Sequence, residues 1–305
     1  LPPTTISQIH IAATGKTPAR TEVRATLLDL QTIASFVGRL PLDATRRHLL
    51  ADIAPRGRLQ DFTASWQGDF PDVATYQVKG RFDGLSIAPR PARDEQPASP
   101  GFTNLTGSID ASERGGSMML ASTDAVLHFP GLLTEAAVPL DTLALQANWT
   151  RRQQQVQIDV GNLRFSQQGM TGLLSGKYQA ALVDGHIDGP GTADLAGKFD
   201  AFDLKQIGRY LPVSTPPDLR TWLTGALEAG RARDVALVLK GDLAHFPFTA
   251  GQRQKGQFLV SGKIEDGRLN YAPGEFAADA SKPLWPLLEK INGKFTFERS
   301  RMEIH

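Results

Sequence analysis

The sequence predicts a mainly β protein: an elongated, strongly curved antiparallel β-sheet with a pair of short helices in each of two repeats. Three observations carry this. Apolar and polar residues alternate over long stretches, as in antiparallel strands with one wetted face. The stretch "GRLQDFTASWQGDF" at 57–70 returns as "GRARDVALVLKGDL" at 230–243. Glycines recur within the apolar phase, at Gly80, Gly107, Gly176, Gly262 and Gly293, where a strand can bend or be closely approached. Alternation alone also fits a closed β-sandwich core. The repeat and the glycines favour a sheet that runs on and bends into a trough.

The elements follow in chain order. Residues 1–19 read as a strand from a preceding unit, 20–193 as a first repeat and 194–305 as a second, cut short at its C-terminal end. In "DLQTIASFVGRLP" Leu30, Ile33, Val37 and Leu40 share a helical face, and "DATRRHLLADIAPRG" reads as a second helix ending at Gly57. "TYQVKGRF" alternates through Tyr76, Val78, Gly80 and Phe82. The longest loop is the Pro/Ala-rich "APRPARDEQPASPG". Further strands are "TLALQANW", "QQQVQIDV" and "LLSGKYQAAL". "DLKQIGRYLP" and "STPPDLRTWLTGALEAG" form the helix pair of the second repeat, the latter with proline at its start and Gly230 past its end. "QFLVSGKI" and "NGKFTF" return to period 2. Asp83-Gly84, Asp184-Gly185 and Asp266-Gly267 read as turns between strands. About 18 strands near 4.8 Å apart would extend on the order of 80 Å.

Composition narrows the function. The formal net charge is +1, with no basic footprint for nucleic acid. There is no cysteine, which removes disulfides, thiolate catalysis and cysteine-based zinc sites. No apolar run approaches the roughly 20 residues that span a bilayer. "TGKT" at 14–17 resembles the tail of a phosphate-binding loop, but His10 stands where the first glycine belongs. The six histidines show no metal spacing. "GLLSG" around Ser175 lies in a strand and is not a nucleophile elbow. No catalytic residue, cofactor or metal is expected.

Three longer stretches resemble a family. They are "PGFTNLTGSID" through "VQIDVGNLRF", then "GRYLP" through "LAHFPF", then "GRLNYAP" through "FTFERSRMEI". Their order and spacing resemble the large periplasmic YhdP proteins of Gram-negative bacteria, in the AsmA-like superfamily of bridge-like lipid transfer proteins. The resemblance implies a repeating β-groove with a hydrophobic trough. It implies a periplasmic protein anchored to the inner membrane through a segment absent from this chain, carrying phospholipid between inner and outer membranes. It implies no enzyme activity. The groove residues are then the inward phase of each strand. They are Val78 and Phe82, Leu105 and Ile109, Leu143 and Leu145, and Val156, Ile158 and Val160. Beyond these come Leu174 and Tyr178, then Phe258, Val260 and Ile264, and Phe295 and Phe297. The competing reading is a non-catalytic β-scaffold of the cell envelope whose apolar face is closed.

Overall fold

The computed structural model describes residues 4–14, 18–36, 52–68, 73–92, 98–183, 185–275, 285–299 and 301–305. They form one open, curved antiparallel sheet of 15 strands. In order these are β1 (Ile6–Ile11), β2 (Arg20–Asp29), β3 (Arg56–Gln67), β4 (Thr75–Ile87) and β5 (Gly101–Ser112). Then come β6 (Gly115–His128), β7 (Ala137–Arg152), β8 (Gln155–Gln167), β9 (Met170–Val183) and β10 (His186–Asp200). Last are β11 (Phe202–Asp203), β12 (Leu227–Asp242), β13 (Gly256–Leu269), β14 (Leu288–Glu298) and β15 (Arg301–Ile304). Every strand pairs with its sequence neighbour, except that β10 pairs with β12 and the short β11 lies beside the start of β12. The main path of the sheet, at about 4.8 Å per strand, extends roughly 60 Å. That is shorter than the sequence reading, because each described strand is longer and there are fewer of them.

The repeated G-R-x-x-D stretch is a bend. Gly57 has φ 107° and Gly230 φ 122°, while Asp61 and Asp234 have φ 49° and 48°. Each aspartate sits at a register slip, between Gln60 and Thr63 in β3 and between Arg233 and Ala236 in β12. One extra residue on one strand kinks it and deepens its twist. The glycine lets the next strand come close: a Cβ on Gly57 would stand 2.6 Å from the Gly84 carbonyl oxygen, and one on Gly230 2.7 Å from the Gly267 Cα. Asn104 and Lys290 add a matching pair, with φ 61° and 54°. The two copies therefore carry the same local backbone.

Asp83-Gly84 and Asp266-Gly267 are not turns. Both lie inside strands, β4 and β13, at slips between Phe82 and Leu85 and between Ile264 and Gly267. Turn chemistry and bulge chemistry use the same residues, since both need positive φ. Gly185 does lie in the turn between β9 and β10; Asp184 is outside the described residues.

Strands end at two lips. The connections after β2, β4, β6, β8, β10 and β13 leave at one, called here the helical lip; those after β1, β3, β5, β7, β9, β12 and β14 leave at the other, the hairpin lip. Helix α1 (Leu30–Phe36) begins where Asp29 accepts a hydrogen bond from the Thr32 N–H at 2.8 Å. Of its expected face, Val37 and Leu40 lie outside the described residues, as do most of the expected second helix and residues 93–97. In the second repeat, "DLKQIGRY" forms a 3-10 helix, Leu204–Tyr210, rather than an α-helix. Asp203 caps it by accepting the Lys205 N–H at 3.0 Å. Helix α2 (Pro217–Ala226) starts on proline, whose missing N–H costs nothing there.

A short ribbon reinforces the helical lip. The loop after β6 meets residues 209–213 across the end of the β8–β9 hairpin. Thr134 N–H donates to the Leu211 carbonyl at 2.9 Å and Val213 N–H to the Leu132 carbonyl at 3.0 Å. The Arg209 guanidinium donates two hydrogen bonds to the Glu135 carboxylate, and the Tyr210 hydroxyl donates to the Gln167 side-chain oxygen. The Arg209 hydrogen bonds hold the Glu135 carboxyl below its ordinary value. A lowered folded-state value means that Glu135 contributes stability above the ordinary carboxylate range, and that this is lost as pH falls through the lowered value. Glu135→Gln should therefore have a lower melting temperature than wild type at pH 7, with the gap closing below about pH 4. A gap unchanged between pH 7 and pH 3 would show that the pair is not what holds the ribbon.

The chain exposes 19534 Å² of surface. A compact monomer of this mass exposes about 12,600 Å². Among the described residues, Phe248 is the one large side chain that is completely buried. A closed sandwich of this length would bury many. The sheet is not folded shut on itself.

Candidate functional site

The register shows how the apolar phases join. Residues paired across an antiparallel ladder share a face. Leu28 pairs with Leu59, and Leu59 with Phe82. From Phe82 the row passes through Gly107 to Leu120, Leu145 and Leu163. It continues to Leu174 and through Gly197 to Leu237, Val260 and Phe297. Every position is apolar or glycine from β2 to β14.

Two further rows run beside it. One links Ile109, Met118, Ala147 and Val160, then passes through Gly176 to Leu195, Leu239 and Phe258. The other runs from Val78 through Ala111 and Gly116 to Trp149, Ile158 and Tyr178. No charged residue interrupts any of the three.

All the groove residues expected from sequence stand on this one face. Phe82, Leu105 and Leu143 belong to its buried cluster, with Ile109 and Leu145 packed against them. Val156, one step from Ile158, pairs with Ala180. Ile264 lies between Ala232 and Gly293, and Phe295 lies beside Gly262. Phe258 meets Phe297 edge-on at 5.8 Å, and Phe246 from the preceding loop at 5.0 Å.

Glycines on this face make room for rings. A Cβ on Gly116 would lie 2.6 Å from the Trp149 ring, and one on Gly172 2.3 Å from the Phe165 ring. Each ring occupies the space that a side chain at the facing glycine would fill.

The face deepens into a cavity of about 200 Å³ between β3 and β6, lined by Leu59, Phe62, Phe82, Leu105, Met118 and Leu120 among others. Leu59, Phe62, Met118 and Leu120 were not among the expected groove residues. The bulge at Asp61 shifts the phase between Leu59 and Phe62, so strict alternation misses one or the other. The adjacent methionines Met118 and Met119 blur the parity of β6. A larger, shallower depression of about 560 Å³ lies on the opposite face, with Asp61, Lys79, Arg81, Asp110, Gln146 and Asn148. Lys79 pairs with Asp110 at 3.1 Å there, and Arg81 with Asp61. It is a wetted surface between bent strands, since its ion pairs are exposed.

Among the described residues there is no group of three His, Cys, Asp or Glu that could hold a metal ion, and no helix is long and apolar enough to cross a membrane. The arrangement can do one thing well: cover an extended apolar body while the lips stay wet.

Compared with known proteins, the chain matches the family model described as "YhdP protein" over residues 1–305. No curated protein and no solved structure matches it.

Proposed function

The chain belongs to the YhdP family, and from that premise we propose that it is a section of a lipid conduit, carrying phospholipid acyl chains along its apolar face. The observation that carries the reading is the unbroken row from Leu28 to Phe297. An isolated apolar patch can be a chance of packing; a lane that survives strand after strand requires every strand to agree in phase. Each methylene taken from water onto such a lane contributes about 0.8 kcal/mol. Left bare, the lane would be far larger than the apolar patches soluble monomers carry. In this reading the protein works in the periplasm between the inner and outer membranes, anchored at the inner membrane by another part of the protein, without cofactor and without catalysis. The scaffold alternative needs a closed apolar face, and the exposed area counts against it.

Protein purified gently from Gram-negative cells should carry phospholipid in excess over a matched soluble control, measured by extraction and mass spectrometry. Lipid no richer than the control would count against the conduit.

A further inference from the structure

Tryptophan and tyrosine mark the lips of the groove. All four of each stand toward one lip or the other, two tryptophans and two tyrosines at each. Trp66, Tyr76, Trp149 and Tyr178 lie toward the hairpin lip, on the groove face of β3, β4, β7 and β9. The middle of the strands holds leucine, isoleucine, valine and phenylalanine. Trp and Tyr prefer the level where apolar matter meets water, with the ring in one and the N–H or O–H in the other.

Arg151 stands one step beyond Trp149 on the same phase. It pairs with Val156 in β8, and its N–H donates to the Arg114 carbonyl at 2.7 Å, which draws the β5–β6 turn against the end of β7. One of its terminal nitrogens lies 4.0 Å from where a Gly185 Cβ would be. The guanidinium thus leans along the lip toward the β9–β10 turn. Among the described residues Arg151 and Arg152 have no carboxylate partner, while Arg114 is 3.5 Å from Glu113. A cation with no carboxylate partner among the described residues, at the edge of an aliphatic floor and beyond a tryptophan, stands where a lipid phosphate would emerge.

We infer that phospholipid lies across β5–β9 with its acyl chains on the aliphatic floor and its phosphate at the hairpin lip, held by the Arg151 guanidinium beside Trp149. This rests on the conduit reading and adds an orientation and a recognised group to it. Guanidinium donates two parallel hydrogen bonds to phosphate oxygens. The phosphate is common to phospholipids, so the site selects for it and is indifferent to what the phosphate carries.

The test uses the full-length protein and two probes with identical photoactivatable acyl chains, phosphatidylglycerol and diacylglycerol, in mixed micelles. Arg151→Glu should lower labelling by phosphatidylglycerol about tenfold, the loss of one charged hydrogen-bonded contact. Labelling by diacylglycerol should stay within about twofold, because the floor is untouched. Arg164→Glu, on the opposite face of β8, should change neither, and unchanged melting temperatures establish that the variants are folded. If Arg151→Glu leaves both probes unaffected, or weakens both equally, the lip assignment is wrong while the groove stands. If neither probe labels the wild-type protein, the conduit reading itself fails.

Discussion

Leu145→Arg should leave the protein folded and stop lipid movement, while Gln146→Arg should do neither harm. Leu145 pairs with Leu120 on one side and Leu163 on the other, in the middle of the longest apolar row. Gln146 is its neighbour on the exposed face. In a closed core an arginine at position 145 would meet the full penalty of an unpaired buried charge. Added to lost packing, that would exceed a whole-domain stability of about 5–15 kcal/mol. In an open trough the stem can lie along the apolar wall with the guanidinium reaching water at the mouth, and the cost falls to about 1–3 kcal/mol. The charge then stands in the path of acyl chains. Phospholipid transfer between vesicles by the full-length protein should fall to background for Leu145→Arg and stay near wild type for Gln146→Arg. A Leu145→Arg protein that does not fold would favour a closed core. One that folds and still moves lipid would remove this face from the pathway.

Gly57→Ala should be among the most damaging small substitutions in the chain. The new methyl would stand within 2.6–2.8 Å of three backbone atoms of Gly84 and Leu85, which cannot give way without parting β3 from β4. Its φ of 107° is also one that L side chains rarely adopt. Gly169→Ala separates the two effects: φ is 87° but nothing lies within 4 Å of the added Cβ. Strain alone should cost Gly169→Ala about 1 kcal/mol, and strain with backbone collision should cost Gly57→Ala about 3 kcal/mol or more. In thermal melts that is roughly 2–4 °C against 6–12 °C. Equal losses would mean that β3 and β4 are not tightly apposed at the bulge, and that the repeated motif does not bend the sheet.

The architecture was legible because period 2 is written plainly in "TLALQANW" and "QQQVQIDV", and because a curved sheet needs glycine at places the sequence marks twice. What alternation could not show was the bulges. Asp83-Gly84 and Asp266-Gly267 have the chemistry of a turn, and only the pairing of Leu85 with Leu105 and of Gly267 with Ile291 puts them inside strands. The same bulges hid Leu59 and Phe62 from the groove, since a one-residue insertion reverses the phase. The 3-10 helix at Leu204–Tyr210 shares its apolar spacing with an α-helix over so short a stretch that periodicity does not separate them. The ribbon between the loop after β6 and residues 209–213 has no local signal, because Glu135 and Arg209 meet only once the sheet has brought that loop and the 3-10 helix together.

Whether the apolar face bears lipid along its length can be read from a photoreactive amino acid placed singly in the full-length protein. Positions Leu120, Leu145, Leu174 and Leu237 sample one row across β6, β7, β9 and β12. Met119, Gln146 and Leu173 sample the opposite face and are exposed. Irradiation in living cells followed by mass spectrometry should find phospholipid adducts at all four groove positions and at none of the three outer ones. Adducts absent from the row, or equally frequent on both faces, would mean that this face does not carry lipid.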